Sequence, residues 1–169
     1  MFFARLETPL GDARLVCDGE GRLRAFLWVE GDRPLSRFGE GEMVACDNPF
    51  GLSRAIADYF AGNLHAIDAL PVVFAGTPFQ NTVWQGLRTI PAGETLSYGG
   101  LAARIGAPKA VRAVGLANGA NPLGVIVPCH RVIGADGSLT GYGGGLERKK
   151  WLLAHEARHA GTGLFAVRR

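Results

Sequence analysis

The chain has 169 residues and a mass of 17.9 kDa, with 47% apolar and 20% charged residues. This is the composition of a globular protein with one domain or two small ones, and it excludes a disordered or collagen-like chain. No apolar stretch approaches the ~18 residues of a membrane helix, and the N-terminus lacks the basic and apolar blocks of a secretory signal. We therefore expect no membrane association.

The net charge of +3 conceals an uneven distribution. Residues 1–76 contain seven Arg, no Lys and eleven Asp or Glu, whereas residues 77–169 contain eleven Lys or Arg and four Asp or Glu. The two parts therefore carry net charges of −4 and +7. A basic part of this kind indicates a polyanionic partner. The 25 glycines are about twice the average usage.

The cysteines Cys17, Cys46 and Cys129 are odd in number, far apart and without a CxxC pair. This spacing disfavours a disulfide framework and a zinc finger. We expect a cytoplasmic protein with free thiols.

The first 76 residues predict a small α+β domain. Short apolar or alternating segments are separated by turn signals such as Asp18-Gly19-Glu20-Gly21. A helix is predicted from about Asn48 to Gly62, because its apolar residues recur with helical period. The predicted strands cover residues 2–6, 13–17 and 23–29, with one more within 65–74.

From residue 77 onward the pattern becomes mostly helical. Thr77 and Pro78 are typical of a helix start, and Ser97 and Pro108 begin two more short helices separated by Gly106. Two short helices around a glycine turn outline a helix-turn-helix. A short buried strand is predicted at 125–127 and a last helix from about Leu146 past Glu156. We thus predict an α+β fold of two domains, residues 1–76 and 77–169.

The segment Pro128-Cys129-His130-Arg131-Val132 is the sharpest candidate for chemistry. A thiol becomes a nucleophile when it loses its proton, and an adjacent imidazole can take that proton directly or through water. Consecutive strand residues point to opposite faces, so His130 can serve Cys129 only if the backbone turns at Pro128. A buried structural cysteine beside an exposed histidine explains the pair equally well.

Three further residues are candidates to support Cys129. Glu156, at the end of an apolar helical stretch, can orient His130, although a solvated charge is the commoner arrangement. Tyr98 can donate to a leaving base or contact a phosphate, or simply anchor a turn. Asn121 can brace the junction between the preceding helix and the cysteine, or form an ordinary Asn-Pro turn.

The second helix of the helix-turn-helix carries Lys109 and Arg112 among small residues such as Ala113. Small residues let a helix approach DNA closely, and one Arg can enter the base stack or contact phosphates. A solvated basic face is the alternative. The glycine-rich residues 139–146 lack a phosphate-loop pattern but suit a backbone lying against a flat ligand.

Together these residues resemble the O6-alkylguanine-DNA alkyltransferase family. The resemblance covers essentially all of residues 77–169 and, more loosely, the acidic first part. The Pro-Cys-His-Arg-Val box is highly specific, and the other matches follow in the family's order. They are Phe79-Gln80, Val83-Trp84, Ile90-Pro91, Gly93, Thr95, Ser97-Tyr98, Ala113-Val114-Gly115, Ala117-Asn118, Asn121-Pro122 and Leu152-Leu153-Ala154-His155-Glu156.

The resemblance implies direct DNA repair. Cys129 would attack the alkyl carbon on O6 of guanine irreversibly, with His130 as proton acceptor through a water and Glu156 behind it. Tyr98 would assist departure of the guanine, and Asn121 would be the hinge between the DNA-binding helix and the cysteine. It further implies an RNase H-like first domain.

The resemblance also implies how DNA is held. The partner would be double-stranded DNA containing O6-alkylguanine, bound through its minor groove by a monomer, with cooperative binding left open. Arg112 would fill the gap left by the extruded nucleotide, and Lys109, Ala113 and Tyr98 would contact DNA. The residues implied to line the base pocket are Val127, Pro128, Tyr142, Gly143 and Gly144. No cofactor is required.

The chain departs from the family pattern at two places. Some members bind zinc in the first domain, but only Cys17, Cys46 and His65 are available there, so we predict no metal. Gly143 replaces a small polar residue that is frequent in the family, which puts tolerance of bulky O6 groups in doubt. Without an upstream regulatory domain, we expect the stand-alone, bacterial-type form.

Two other functions remain as hypotheses. A non-enzymatic relative that only flags alkylated DNA would lack the cysteine, so Cys129 argues against it. A cysteine hydrolase using Cys129 and His130 would leave the basic second part and Arg112 without explanation.

Overall fold

The computed structural model describes residues 1–29 and 38–161, together with the backbone of residues 167–168. The chain divides into two compact units, Met1–Phe74 and Ala75–Arg169. The fold is α+β, as predicted. Within the described residues, no helix is both long enough and apolar enough to span a membrane.

The first unit is built on a four-stranded sheet. An antiparallel meander is formed by β1 (Phe2–Leu6), β2 (Ala13–Cys17) and β3 (Leu23–Trp28), close to the predicted positions. A short strand β4, Val44–Ala45, pairs parallel to β1 and gives the order β3-β2-β1-β4. The turn between β2 and β3 is held by the Asp18 carboxylate, which accepts hydrogen bonds from the amides of Glu20 at 3.1 Å and Arg22 at 2.9 Å.

Helix α1, Leu52–Phe60, is shorter than predicted because Pro49–Gly51 form a turn of 3-10 helix before it. Its buried residues include Ile56 and Tyr59, one helical turn apart, which cover the core of this unit. The strand predicted within residues 65–74 is wrong. Leu64–Ile67 form a 3-10 turn, and a single bridge joins Val72 to β3.

The second unit has four α-helices within its described residues: α2 (Pro78–Leu87), α3 (Tyr98–Arg104), α4 (Val111–Gly119) and α5 (Leu146–Ala160). Thr77 and Ser97 cap α2 and α3 as predicted, each accepting a backbone N–H three residues on. The predicted start of α4 at Pro108 is wrong, because residues 107–110 form a turn closed by the Ala110 amide on the Ala107 carbonyl. Helix α2 packs on both α3 and α4.

Three short parallel strands complete the second unit: β5, Thr95–Ser97, β6, Val132–Ile133, and β7, Val167–Arg168, in the order β6-β5-β7. Leu96 lies opposite Val132, so this pairing brings the start of α3 near the segment that precedes β6. The strand predicted at 125–127 is wrong. Those residues form tight turns, in which Val125 has a positive φ of 69° and the Val127 amide donates to the Leu123 carbonyl.

Candidate active site and DNA-binding face

Cys129 begins a single turn of 3-10 helix, Cys129–Arg131, between Pro128 and β6. The Cys129 amide donates to the Val127 carbonyl at 2.8 Å, and the Arg131 amide donates to the Pro128 carbonyl at 3.0 Å. The backbone therefore turns at the cysteine, which is the condition set by the sequence for His130 to serve Cys129. Pro128 and Val127 are both buried beside it.

The Cys129 side chain is also buried, with 5% of the residue exposed. Burial raises the pKa of its thiol, and a hydrogen bond with Asn121 and the positive charge of Lys149 offset that effect only in part. The thiol is consequently protonated near pH 7. It needs a base nearby to become a nucleophile.

His130 is fully buried and has its Nε2 atom 2.9 Å from Oε1 of Glu156. Burial lowers the pKa of this imidazole, and the neighbouring carboxylate does not fully restore it. A neutral ring next to a carboxylate must carry its hydrogen on Nε2, because the carboxylate only accepts. That leaves a lone pair on Nδ1, which is buried and has no hydrogen-bond partner within the described residues.

Arg131 completes the network around Glu156. Its Nε and Nη2 atoms donate to the two carboxylate oxygens at 2.9 and 2.8 Å, and its Nη1 donates to the Ile90 carbonyl at 2.5 Å. The amide of Gly93 adds a fourth donor to Glu156 at 3.2 Å. Burial alone would raise the pKa of Glu156, but His130 and Arg131 outweigh it and hold that pKa well below its usual range. Glu156 therefore stays ionised.

Lys149 is a buried cation on α5 that approaches the same site. Its Nζ atom donates to the carbonyls of Val132 at 2.6 Å, Thr140 at 2.9 Å and Gly141 at 3.4 Å. Burial lowers its pKa to about 8, and the negative charge that Cys129 acquires on ionisation opposes this shift. Lys149 thus ties β6 to the glycine-rich loop and places positive charge near the thiol.

Two asparagines connect α4 to the cysteine turn. The Asn121 amide group donates to the Val127 carbonyl at 2.8 Å and accepts from the Leu123 amide at 3.0 Å, which braces the tight turns before Cys129. Asn118, buried on the last turn of α4, donates to the Cys129 carbonyl at 3.4 Å. A side chain of α4 therefore makes a direct hydrogen bond to the backbone of the candidate nucleophile.

Tyr98 stands at the start of α3 between α4 and the glycine-rich loop. Its hydroxyl donates to the Thr140 carbonyl at 3.2 Å, and its ring centroid lies 6.0 Å from Nζ of Lys149. A Cβ added at Gly115 of α4 would lie 3.9 Å from the ring, in ordinary contact. Tyr98 is half-buried.

The glycine-rich loop lies next to the end of α4. Gly143 is exposed, and a Cβ added there would come within 3.6 Å of the Gly119 carbonyl. Gly144 is buried, and its carbonyl accepts from Nη1 of Arg148 at 2.8 Å. Tyr142 is half-buried in the same loop.

The exposed side of α4 presents Arg112 and Ala113 to solvent. The prediction that Lys109 lies on this helix is wrong, because α4 begins at Val111 and Lys109 is exposed in the turn before it. The opposite side is fixed in the core through Val114 and Ala117, and the Ala117 carbonyl accepts from the Trp84 indole at 2.8 Å. Arg112 is thus exposed on α4, whereas the candidate nucleophile Cys129 is buried in the turn that Asn118 and Asn121 connect to this helix.

The structure brings together Cys129, His130, Glu156, Asn121 and Tyr98 around one turn. Sequence reasoning assigned no role to Arg131 and Asn118, which it named only as parts of motifs, and it missed Lys149. A signal existed for Lys149, which precedes Glu156 by seven residues and so shares its buried face of α5. Arg131 had no such signal. In the described ranges 1–29 and 38–161, no three His, Cys, Asp or Glu side chains are grouped to hold a metal ion.

Comparison with known proteins places the chain in one family. Residues 78–158 match the family described as 6-O-methylguanine DNA methyltransferase, DNA binding domain. The methylated-DNA–protein-cysteine methyltransferase of Salmonella typhimurium is 54% identical over 159 residues, which covers 90% of this chain and 93% of the relative.

Solved structures give the same result for the fold. The O6-methylguanine methyltransferase of Mycobacterium tuberculosis superposes with a TM-score of 0.81 and 42% identity, over 94% of this chain and 93% of the other. A structure of the M. tuberculosis protein in complex with DNA matches with a TM-score of 0.76 and 40% identity, over 94% of each chain. The chain belongs to the methylated-DNA–protein-cysteine methyltransferase family.

Proposed function

We propose that this protein repairs DNA directly, by moving an alkyl group from O6 of guanine to Sγ of Cys129. The observation that carries the proposal is the state of His130, a neutral ring with Nε2 on an ionised carboxylate and a buried lone pair on Nδ1, adjacent in the chain to a buried thiol. Family membership supports the same reaction.

The proton of Cys129 is the first to move. It passes to Nδ1 of His130, directly or through a water, and the resulting imidazolium is stabilised by Glu156. The Sγ lone pair then attacks the alkyl carbon, forming a C–S bond while the C–O6 bond breaks and its electrons remain on guanine. The thioether has no easy return path, so each molecule acts once.

The departing guanine needs a proton to become neutral. The Tyr98 hydroxyl, held at the mouth of the glycine-rich loop by Thr140, is the donor we assign. Tyr98 regains its proton through water from the His130 imidazolium, so in sum the thiol proton of Cys129 replaces the alkyl group on guanine and both side chains return to their starting states. The pocket for the base is assigned to Val127 and Pro128 on one side and to Tyr142, Gly143 and Gly144 on the other.

The target atom lies inside a duplex, so the nucleotide must be flipped out at a cost of a few kcal/mol. We assign the exposed side of α4 to the minor groove, with Arg112 in the gap left by the flipped nucleotide and Lys109 and Ala113 beside it. Asn118 and Asn121 then couple that helix to Cys129. One protein molecule serves one lesion.

A cysteine hydrolase is the second candidate, since Cys129 and His130 also suit acyl transfer. It requires donors for an oxyanion and repeated turnover. The His130–Glu156–Arg131 network fits both chemistries, but a hydrolase gives no role to the exposed Arg112 on α4.

The test uses a duplex oligonucleotide containing one O6-methylguanine. Incubation with the protein should restore guanine in one-to-one amount and add a single methyl group to the peptide that carries Cys129, as measured by mass spectrometry. Cys129→Ser should abolish both results, and Cys46→Ser, at a half-buried cysteine outside this unit, should change neither. Restoration of guanine without a modified Cys129, or methylation of another cysteine, would contradict the proposal.

A further inference from the structure

One large apolar side chain on the exposed side of α4 lies outside the core. Leu116 is 78% exposed, more than any other large hydrophobic residue among those described. It follows Arg112 by four residues, so the two side chains share one face of the helix. The buried side of α4 is complete without Leu116, since Val114, Ala117 and Asn118 supply it.

The surroundings of Leu116 are small and positively charged. Its exposed neighbours on α4 and just after it are Ala113, Gly119 and Ala120. Residues 95–135 contain no Asp or Glu, while Arg104, Lys109 and Arg112 are exposed within them. A patch that binds another protein needs a contiguous apolar area of several hundred Å². A single leucine in a basic, small-residue face instead fits a polyanion with an apolar interior, which is duplex DNA.

We infer that Leu116 is a second DNA-inserting residue, an apolar wedge that acts beside Arg112. This inference rests on the proposed function. Four residues of helix advance by ~6 Å, and B-DNA advances by ~3.4 Å per base pair. Leu116 is therefore spaced to meet a base pair one or two steps from the gap that Arg112 fills. Leucine is among the side chains that proteins insert from the minor groove to unstack and kink a duplex.

The chemistry of the side chain also sets a sequence preference. The minor-groove edge of G·C presents the guanine N2 amino group as a donor, whereas A·T presents acceptors only. A leucine cannot accept from that amino group, and burying an unsatisfied donor costs free energy. Repair should therefore be faster when the base pair that Leu116 meets is A·T.

The experiment compares Leu116→Ala with the wild type in single-turnover methylation of Cys129. The substrates are free O6-methylguanine and duplexes in which each pair flanking the lesion is A·T or G·C. Val111→Ala is the matched control, because Val111 is an exposed apolar residue of α4 about 140° around the helix from Leu116. Circular dichroism and thermal melting check that each variant folds.

We expect Leu116→Ala to slow the duplex reaction roughly tenfold, equivalent to ~1.4 kcal/mol, with the free-base rate within twofold of wild type. The A·T preference at the contacted pair should disappear. The salt dependence of duplex binding should stay unchanged, whereas Arg112→Ala should reduce it, because only the arginine releases counterions. Val111→Ala should match the wild type throughout.

An unchanged duplex rate in Leu116→Ala would overturn the inference. Equal losses on the free base and the duplex would also overturn it and assign Leu116 a structural role. A variant that repairs normally but changes the molecular mass in light scattering would assign Leu116 to contact between copies of the chain instead. Failure of the wild type to methylate Cys129 with any substrate would reject the proposed function itself, which separates the two results.

Discussion

Arg131 and Glu156 form a two-point ion pair in which neither residue is more than 4% exposed. Glu156 also meets His130 through the same oxygen that accepts from Nη2 of Arg131. The arginine neutralises the carboxylate, so His130 need not be protonated to do so. Glu156 can therefore orient the ring and leave it basic, and it can still stabilise the imidazolium when the proton arrives.

The Arg131–Glu156 pair should be essential to stability as well as to catalysis. Arg131→Met leaves a buried carboxylate without its cation, and breaking a buried pair from one side costs ~3–5 kcal/mol. Urea unfolding followed by circular dichroism measures the loss. Arg54→Met is the matched control, because its ion pair with Asp58 is largely exposed and should contribute less than ~1 kcal/mol. Similar losses in the two variants would contradict the prediction.

Glu156→Gln should make the free energy of unfolding less dependent on pH in the acidic range. The folded-state pKa of Glu156 is lowered, so its contribution is present above the unfolded pKa of ~4.3 and is lost as pH falls through the folded value. The lowered pKa of His130 acts in the same direction below ~6.5. The free energy of unfolding of the wild type should therefore fall below pH ~6.5 and more steeply below pH ~4.3. The variant should lack the additional loss below pH ~4.3.

The same variant should react slowly. A glutamine can turn its amino group toward His130 and no longer fixes Nε2 as the protonated nitrogen, so methylation of Cys129 by the free base should fall ~100-fold or more. Glu147→Gln, on the exposed first turn of α5, is the control for both measurements. Loss of the acid component of stability together with a normal rate would show that Glu156 is only a structural residue, and parallel stability curves would contradict its lowered pKa.

Lys149→Met should move the pH dependence of methylation. Removing the buried cation raises the pKa of the Cys129 thiol further, so the rate at pH 7 should fall about tenfold for each unit of that shift. Because burial lowers the pKa of Lys149 to about 8, the wild type loses this advantage above pH 8 and the two rates should converge by pH 9–10. Lys150→Met, at an exposed neighbour, should resemble the wild type. A constant rate ratio from pH 6 to 10 would show that Lys149 only positions the loop.

Local signals in the sequence were sufficient for much of the fold. Thr77 and Ser97 are capping residues, and each accepts the backbone hydrogen bond that its type and position predict. Alternation at Ala13, Arg14 and Leu15 identified β2, because Ala13 and Leu15 are buried and Arg14 between them is partly exposed. These features depend on neighbours within a few residues.

The predictions that failed depended on distant partners. Val125, Ile126 and Val127 are apolar and β-branched in the manner of a strand, but Asn121 holds them as turns, with Val125 at positive φ. Arg131 is part of the Pro-Cys-His-Arg-Val motif, but the sequence does not indicate that it pairs with Glu156, because 25 residues separate the two. A single sequence does not show which buried cation meets which carboxylate.

Gly143→Ser tests the base pocket at the position where this chain departs from the family pattern. A Cβ there would make only ordinary contact, 3.6 Å from the Gly119 carbonyl, and the backbone of Gly143 does not have a positive φ, so the variant should fold with wild-type stability. The added hydroxyl can donate to the oxygen from which the alkyl group departs, and a hydrogen bond to a group gaining charge is worth ~1.5–3 kcal/mol. Methylation by free O6-methylguanine should therefore rise roughly tenfold. The control is Gly145→Ser, because Gly145 has a φ of 88° that a side chain disfavours, and it should lower the melting temperature without raising the rate. An equal rate in Gly143→Ser and the wild type would place Gly143 outside contact with the reacting oxygen.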